Sequence, residues 1–260
     1  MSIAATVVPM DYEAPGVGDF WQPLIGDGAF AITRPIFLMI VSAGLLMWFL
    51  HATTKEKALV PGKGQLATES VYGLVRNGIA RDLIGSKEFL RFVPLLFALF
   101  ITILVNNVFG VLPPLSFPTM SRIGFPIALT LVVWVTFHAV GMKKHGFVGY
   151  WKSLVPSGLP SWIVPVIFFL ELITDLFTRP VTLALRLFGN MFAGHLLLVL
   201  FITGGWYLLT SGGILSVAGG VTWIFAFVMF LFELLVEFLQ AYVFTLLAAL
   251  YIAGAVADEH

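Results

Sequence analysis

The sequence predicts an all-α membrane protein with about five membrane-embedded helices, one amphipathic surface helix, and a last pair of helices that are long and tilted. Three observations carry this expectation. Only 11% of the 260 residues are charged, against roughly 25% in an ordinary soluble domain. Hydrophobic residues make up 59% and the mean hydropathy is +0.99. Apolar runs also recur at or beyond the ~20 residues needed to cross a hydrocarbon core of ~30 Å.

Residues 1–28 lack a basic leader and carry Asp11, Glu13, Asp19 and Asp27 among prolines and glycines, so they read as an extramembrane tail. Residues 29–260 read as a single helical membrane domain. The first span is Ala31 to His51. The polar stretch that follows places Leu66, Val71, Leu74 and Ile79 at near-helical spacing beside Arg76, Arg81 and Asp82, which suits a helix lying on the membrane surface. A second span, Phe89 to Leu112, stops at Pro113 and Pro114, because proline lacks the N–H that a continuing helix needs. After the turn-rich segment PPLSFPTMSRIGFP comes a third span, Ile127 to Met142, closed by Lys143, Lys144 and His145, and then a connector from Gly146 to Pro160. Two longer apolar helices complete the chain, residues 161–201 with a possible break at Pro180 and residues 221–255. A glycine-rich linker, Gly204 to Gly220, joins them. Helices of roughly 35 to 40 residues exceed the bilayer thickness and must tilt, bend or emerge.

Charge placement sets the orientation. Lys55, Lys57, Lys63, Arg76, Arg81, Lys87, Lys143, Lys144 and Lys152 fall after spans one and three, against mainly Arg122 on the other side, with Arg34 near its edge. The positive-inside rule therefore puts the N-terminus outside and the C-terminus, Asp258-Glu259-His260, in the cytoplasm. Fourteen basic and fourteen acidic residues cancel, leaving no electrostatic case for nucleic acid. With no cysteine, disulfide frameworks and thiolate chemistry are excluded. The chain contains no HExxH, P-loop, GxGxxG or GxSxG pattern, so no metal or other cofactor is expected.

Charges inside the apolar runs are the informative ones, since an intramembrane arginine costs about 2.5 to 3.5 kcal/mol on insertion scales. Arg179 has Asp175 four residues before it, the favourable order for an ion pair. Arg186 has only Thr182 and Asn190 one turn away, so its partner must come from elsewhere. At 3.6 residues per turn Glu171, Asp175, Arg179, Thr182, Arg186 and Asn190 share one face, which should meet protein or water. A hydrogen-bonded helix seam explains the threonine and asparagine but leaves the guanidinium without a counterpart. His195, further along, is open to two readings, proton relay or simple hydrogen bonding to a neighbour. In the last helix Glu233, Glu237, Gln240 and Tyr251 share a face and invite pairing with Arg186 or His195. Desolvated carboxylates of this kind can be neutral part of the time, which suits proton carriage.

The run PVTLALRLFGNMFAGH, Pro180 to His195, resembles the signature of subunit a of the F-type ATP synthases. Supporting stretches are PGKGQLATESVYGLV, NNVFGVLPP, Leu239 to Phe244 and the Asp-Glu-His end. The resemblance implies a stator proton-channel subunit with partners in a c-ring, peripheral-stalk b subunits, the remaining ATP synthase subunits and the lipid bilayer, and with H+ as the transported ion. Nucleotide chemistry would lie on other subunits, and a bacterial plasma membrane is the implied location. By that similarity Arg186 faces the ring carboxylates and blocks leakage between two half-channels, with Asn190 and Gln240 beside it. His195 and Glu233 would form an acid–imidazole pair in the outer half-channel, with the residue types exchanged between helices relative to one family pattern. Glu171 and Asp175 would line the inner half-channel, and Asn107 is a lesser candidate. Two departures stand out: Gly110 where the family often has an acidic residue, and one extra residue between Glu171 and Pro180. A secondary transporter with its substrate site around Arg186 is the alternative, although no inverted repeat supports it.

Overall fold

The computed structural model describes residues 16, 23–26, 31–55, 62–86, 88–112, 118–155 and 159–257. Most of the 1–28 tail, Lys57, Lys87, Pro113, Pro114 and the Asp258-Glu259-His260 end lie outside the described residues. A short antiparallel pair, β1 (Pro23–Ile25) and β2 (Ile32–Thr33), leads into α1 (Arg34–Thr54), with Pro35 in its first turn where a missing N–H is harmless. Helix α2 (Lys63–Val75) widens into a π segment, Arg76–Arg81, and ends as α3 (Asp82–Ile84). The second span is α4 (Val93–Val111) and the third is α5 (Gly124–Ser153). Helix α6 (Val164–Ile173) passes through a second π segment, Thr174–Thr178, into α7 (Arg179–Thr210). Helix α8 (Ile214–Val256) ends the described fold.

Five helices are long and apolar enough to cross a membrane: α1, α4, α5, the continuous run Val164–Thr210, and α8. Their shared core gathers Leu96, Phe100 and Ile103 of α4, Phe137 of α5, Leu187 of α7 and Phe244 of α8, all nearly or wholly buried. Large apolar side chains such as Met47, Trp48, Phe169 and Phe225 are exposed, the inside-out distribution expected where the solvent is lipid.

Four local expectations change. The buried side of the α2 region is Val75, Ile79 and Ala80, while Leu66 and Leu74 are exposed. The π segment shifts the helical phase, so one 3.6-residue period does not run through the stretch. There is no break at Pro180. The Arg179 N–H instead reaches back five residues to the Thr174 carbonyl, and the helix continues through this wide turn. The connector after the third span is partly helical. Gly146, at φ 73° and ψ 164°, kinks α5, and the chain then brings Tyr150 against Gly141, where any Cβ would collide with its ring.

The glycine-rich linker shrinks to residues 211–213, with Gly212 and Gly213 at positive φ making the reversal. The remaining glycines are helical, and two of them let α7 and α8 approach closely. A Cβ on Gly205 would collide with Trp223, and one on Gly219 with the Leu209 backbone.

Candidate functional site

Helices α7 and α8 run antiparallel, and their polar residues separate into two groups on either side of Arg186, which the orientation expected from charge placement would make the outer and the inner group. The outer group surrounds a cavity of about 200 Å³ whose lining includes Asn107, Asn190, Glu233, Glu237 and Gln240. Helix α7 contributes Asn190, whose Nδ2 donates to Gln240 Oε1 of α8 at 2.6 Å. From α4, Asn107 Nδ2 donates to the Glu237 backbone carbonyl at 3.2 Å. Glu233 and Glu237 are 5% and 3% exposed. Even so, Glu233 Oε2, both Glu237 carboxylate oxygens, Asn107 Oδ1 and Gln240 Nε2 have no hydrogen-bond partner among the described residues. Leaving so many buried polar atoms without protein partners is costly unless water or protons supply what the protein does not.

Two glycines shape this region. The Glu233 carboxylate rests on Gly194, close enough that a Cβ there would lie 2.9 Å from Oε1. At Gly110 a Cβ would lie 2.9 Å from Met191 Cε and 3.5 Å from Glu237 Oε1. The Glu237 carboxylate of α8 thus lies beside the space that a side chain at position 110 would occupy. His195 is buried, and its ring is hydrogen-bonded to the Gly110 backbone. It therefore stands one residue from the Glu233 contact and is held by α4.

The inner group centres on Asp175, which is completely buried. Its Oδ1 accepts from Arg179 Nη1, which forms the ion pair expected from the spacing. Its Oδ2 lies 3.3 Å from His138 Nε2 and accepts from the Tyr150 hydroxyl, also at 3.3 Å. His138 Nδ1 is 3.0 Å from the Trp134 carbonyl, and the Arg179 guanidinium lies over the Tyr251 ring, 5.3 Å from its centroid. An acid–imidazole pair is therefore present, but it joins α5 to the π segment before α7. His138 and Tyr150 were missed by sequence reasoning. The available signal was a single histidine in an otherwise apolar span, the same signal that marked His195. Its partner is 37 positions away on another helix, where no periodicity could reveal it.

The expected single polar stripe does not survive the π segment. One extra residue turns Asp175 roughly a quarter of a turn away from Arg186, so Asp175 is buried while Arg186 is exposed. Thr182 returns its hydroxyl to the Thr178 and Arg179 carbonyls. Glu171 is half-buried, and no hydrogen bond or ion pair ties it to the Asp175 group among the described residues. Arg186 itself has no hydrogen bond or ion pair among the described residues. It lies ~12 Å along the axis from Gly194 and ~16 Å from Asp175, at 1.5 Å per residue.

Five apolar spans with carboxylates and two imidazoles buried between them, and two arginines along α7, define an integral membrane protein with an intramembrane charge system. The family model described as ATP synthase A chain matches residues 36–253. Over their full lengths the chain and the ATP synthase subunit a of a Nocardioides species are 44% identical. Identity is 41% to the ATP synthase subunit a of Pseudarthrobacter chlorophenolicus, covering 96% of both chains. It is 37% to that of Streptomyces lividans, covering 96% of this chain and 89% of the relative. The chain belongs to the ATP synthase A chain family.

Proposed function

We propose that this chain is the stator proton-channel subunit of a rotary F-type ATP synthase, working against a c-ring and held by peripheral-stalk b subunits. The observation that carries this reading is the position of Arg186. It is an exposed, permanently charged side chain in the middle of a membrane helix, without a hydrogen-bond or ion-pair partner among the described residues and between two polar regions. Such a charge is costly toward lipid and is accounted for if a carboxylate on a neighbouring subunit meets it.

The outer cavity would be one half-channel. Protons entering it would meet Glu233 and Glu237, helped by Asn107 and His195, and pass Asn190 and Gln240 to the ring carboxylate. Arg186 would favour the ionised form of that carboxylate and repel protons from a direct path across the membrane. The inner half-channel would run on the Glu171 side, with the Asp175 group forming its wall. Residues 1–28 would be an extramembrane tail outside a bacterial plasma membrane, 29–260 the membrane domain, and the C-terminus cytoplasmic. Nucleotide chemistry would remain on other subunits.

The test is Arg186→Ala in the assembled complex. ATP-driven proton pumping into inverted vesicles should disappear while the subunit is still inserted and co-purifies with the ring. Normal pumping by this variant would overturn the assignment.

A further inference from the structure

Arg179 and Arg186 are seven residues apart on the regular helix α7, two turns, so they project from nearly the same side ~10 Å apart along the axis. Yet they are treated oppositely. Arg186 has no ion-pair partner among the described residues, whereas Arg179 is bound to Asp175 and lies over the Tyr251 ring. Asp175 is in turn fixed from α5 by His138 and Tyr150. Those two are seated by packing. The His138 ring is bordered by Trp134, Phe137, Tyr150 and Trp151, and Tyr150 can reach Asp175 only because Gly141 presents no Cβ.

A bare ion pair would need far less than this. With Oδ1 accepting from Arg179 and Oδ2 from the Tyr150 hydroxyl, and His138 Nε2 3.3 Å from Oδ2, Asp175 has both oxygens engaged, so the arrangement is suited to holding one negative charge in place. Arg179 is still one-third exposed, so without Asp175 its charge would be felt outside the subunit. In a medium of low dielectric, two like charges ~10 Å apart act on the same neighbouring group.

We infer that the Asp175 group is a charge-cancelling cage, in which His138 and Tyr150 are positioning residues that hold Asp175 on Arg179 so that Arg186 is the one uncompensated cation α7 offers the ring. This deepens the stator reading and rests on it. If the cage opens, a ring carboxylate leaving Arg186 meets a second cation on the inner side and is held ionised where it should exchange protons.

The experiment uses the whole complex in vesicles and two readouts: ATP-driven pumping, and the pH profile of ring labelling by a hydrophobic carbodiimide, which reacts with the protonated carboxyl. Asp175→Asn should lower pumping at least tenfold with the subunit still assembled, and move the labelling profile to lower pH. Adding Arg179→Gln should return pumping to within about threefold of the parent and restore the profile, whereas adding Arg179→Lys, which keeps the charge, should do neither. His138→Gln and Tyr150→Phe should each give a smaller shift in the same direction, reversed by Arg179→Gln. Equal rescue by Gln and Lys would show a purely structural pair and overturn the inference. So would a double variant Asp175→Asn, Arg179→Gln that pumps no better than Asp175→Asn alone, because Asp175 would then be carrying protons. Failure of the underlying stator reading would show separately, as normal pumping by Arg186→Ala.

Discussion

The polar regions on either side of Arg186 are built from similar residue types and solved in opposite ways. On the inner side Asp175 is fully buried and both of its oxygens accept hydrogen bonds, from Arg179 and Tyr150, with His138 Nε2 3.3 Å away. On the outer side Glu233 and Glu237 are nearly as buried, but three of their four carboxylate oxygens lack a hydrogen-bond partner among the described residues, and both border a cavity. A satisfied buried charge is a fixed part of the structure, whereas an unsatisfied one beside open space is available for exchange. On the proposed reading the outer group conducts protons and the inner group holds charge still, with Arg186 as the element both serve.

The largest effect expected of any substitution is at that shared element. Arg186→Ala should reduce ATP-driven pumping by about a hundredfold or more, in the range seen when a single preorganised electrostatic group is removed; vesicle acidification measures it, and a residual rate above a tenth of the parent would break the comparison.

Next come the outer carboxylates. Glu237→Gln and Glu233→Gln should each slow pumping about tenfold or more, the lower part of the range for loss of a proton-transferring side chain or just below it, with assembly unchanged. If either variant pumps normally across the pH range, that carboxylate is structural after all.

Filling the slot at position 110 should act through the same group. Gly110→Ala would press on Met191 and crowd Glu237, and a several-fold fall in pumping without loss of the subunit is the expected result. Proton conduction by the ring-bound membrane sector alone, driven by an imposed potential, is the direct measurement, and unaltered conduction would disconnect Gly110 from the pathway.

On the inner side Gly141→Ala should appear chiefly as lost stability. The Tyr150 ring would have to move, and overpacking of this kind costs ~1–3 kcal/mol, read as a lower inactivation temperature of the detergent-solubilised complex. The smallest effect belongs to a buried node that uses Asn106, next to Asn107 on α4. Ser42 and Thr119 both donate to Asn106 Oδ1 at 3.0 Å, tying α1 and the turn after α4 to α4 itself. Ser42→Ala removes one of these bonds and should cost about 1 kcal/mol in thermal stability with pumping intact.

How far the sequence could be read differs between elements for physical reasons. The spans were legible because a bilayer demands ~20 apolar residues with every backbone group satisfied internally, and that demand is written residue by residue. Arg186, Glu233 and Glu237 were legible for the same reason, as expensive exceptions to it. The Asp175–Arg179 pair followed from i,i+4 geometry. The glycine segment before α8 was misread as linker, since the feature that makes it helical is the close approach of α7 to α8, visible only once Gly205 and Gly219 are seen against Trp223 and Leu209. His138 and Tyr150 were not singled out, because a lone polar residue gains meaning only from its partner.

The sequence by itself determined that the chain lives in lipid, how many times it crosses, and which few charges must be explained. The Asp175–Arg179 pairing aside, which of those charges are engaged and which left available rests on tertiary structure. A π turn of one extra residue rotates Asp175 off the Arg186 face, a kink at Gly146 carries Tyr150 back to it, and a missing side chain at Gly110 makes room beside Glu237. The reason is that helical periodicity fixes which residues share a face only while the turn is regular, and which face meets which is settled by packing between helices far apart in the chain.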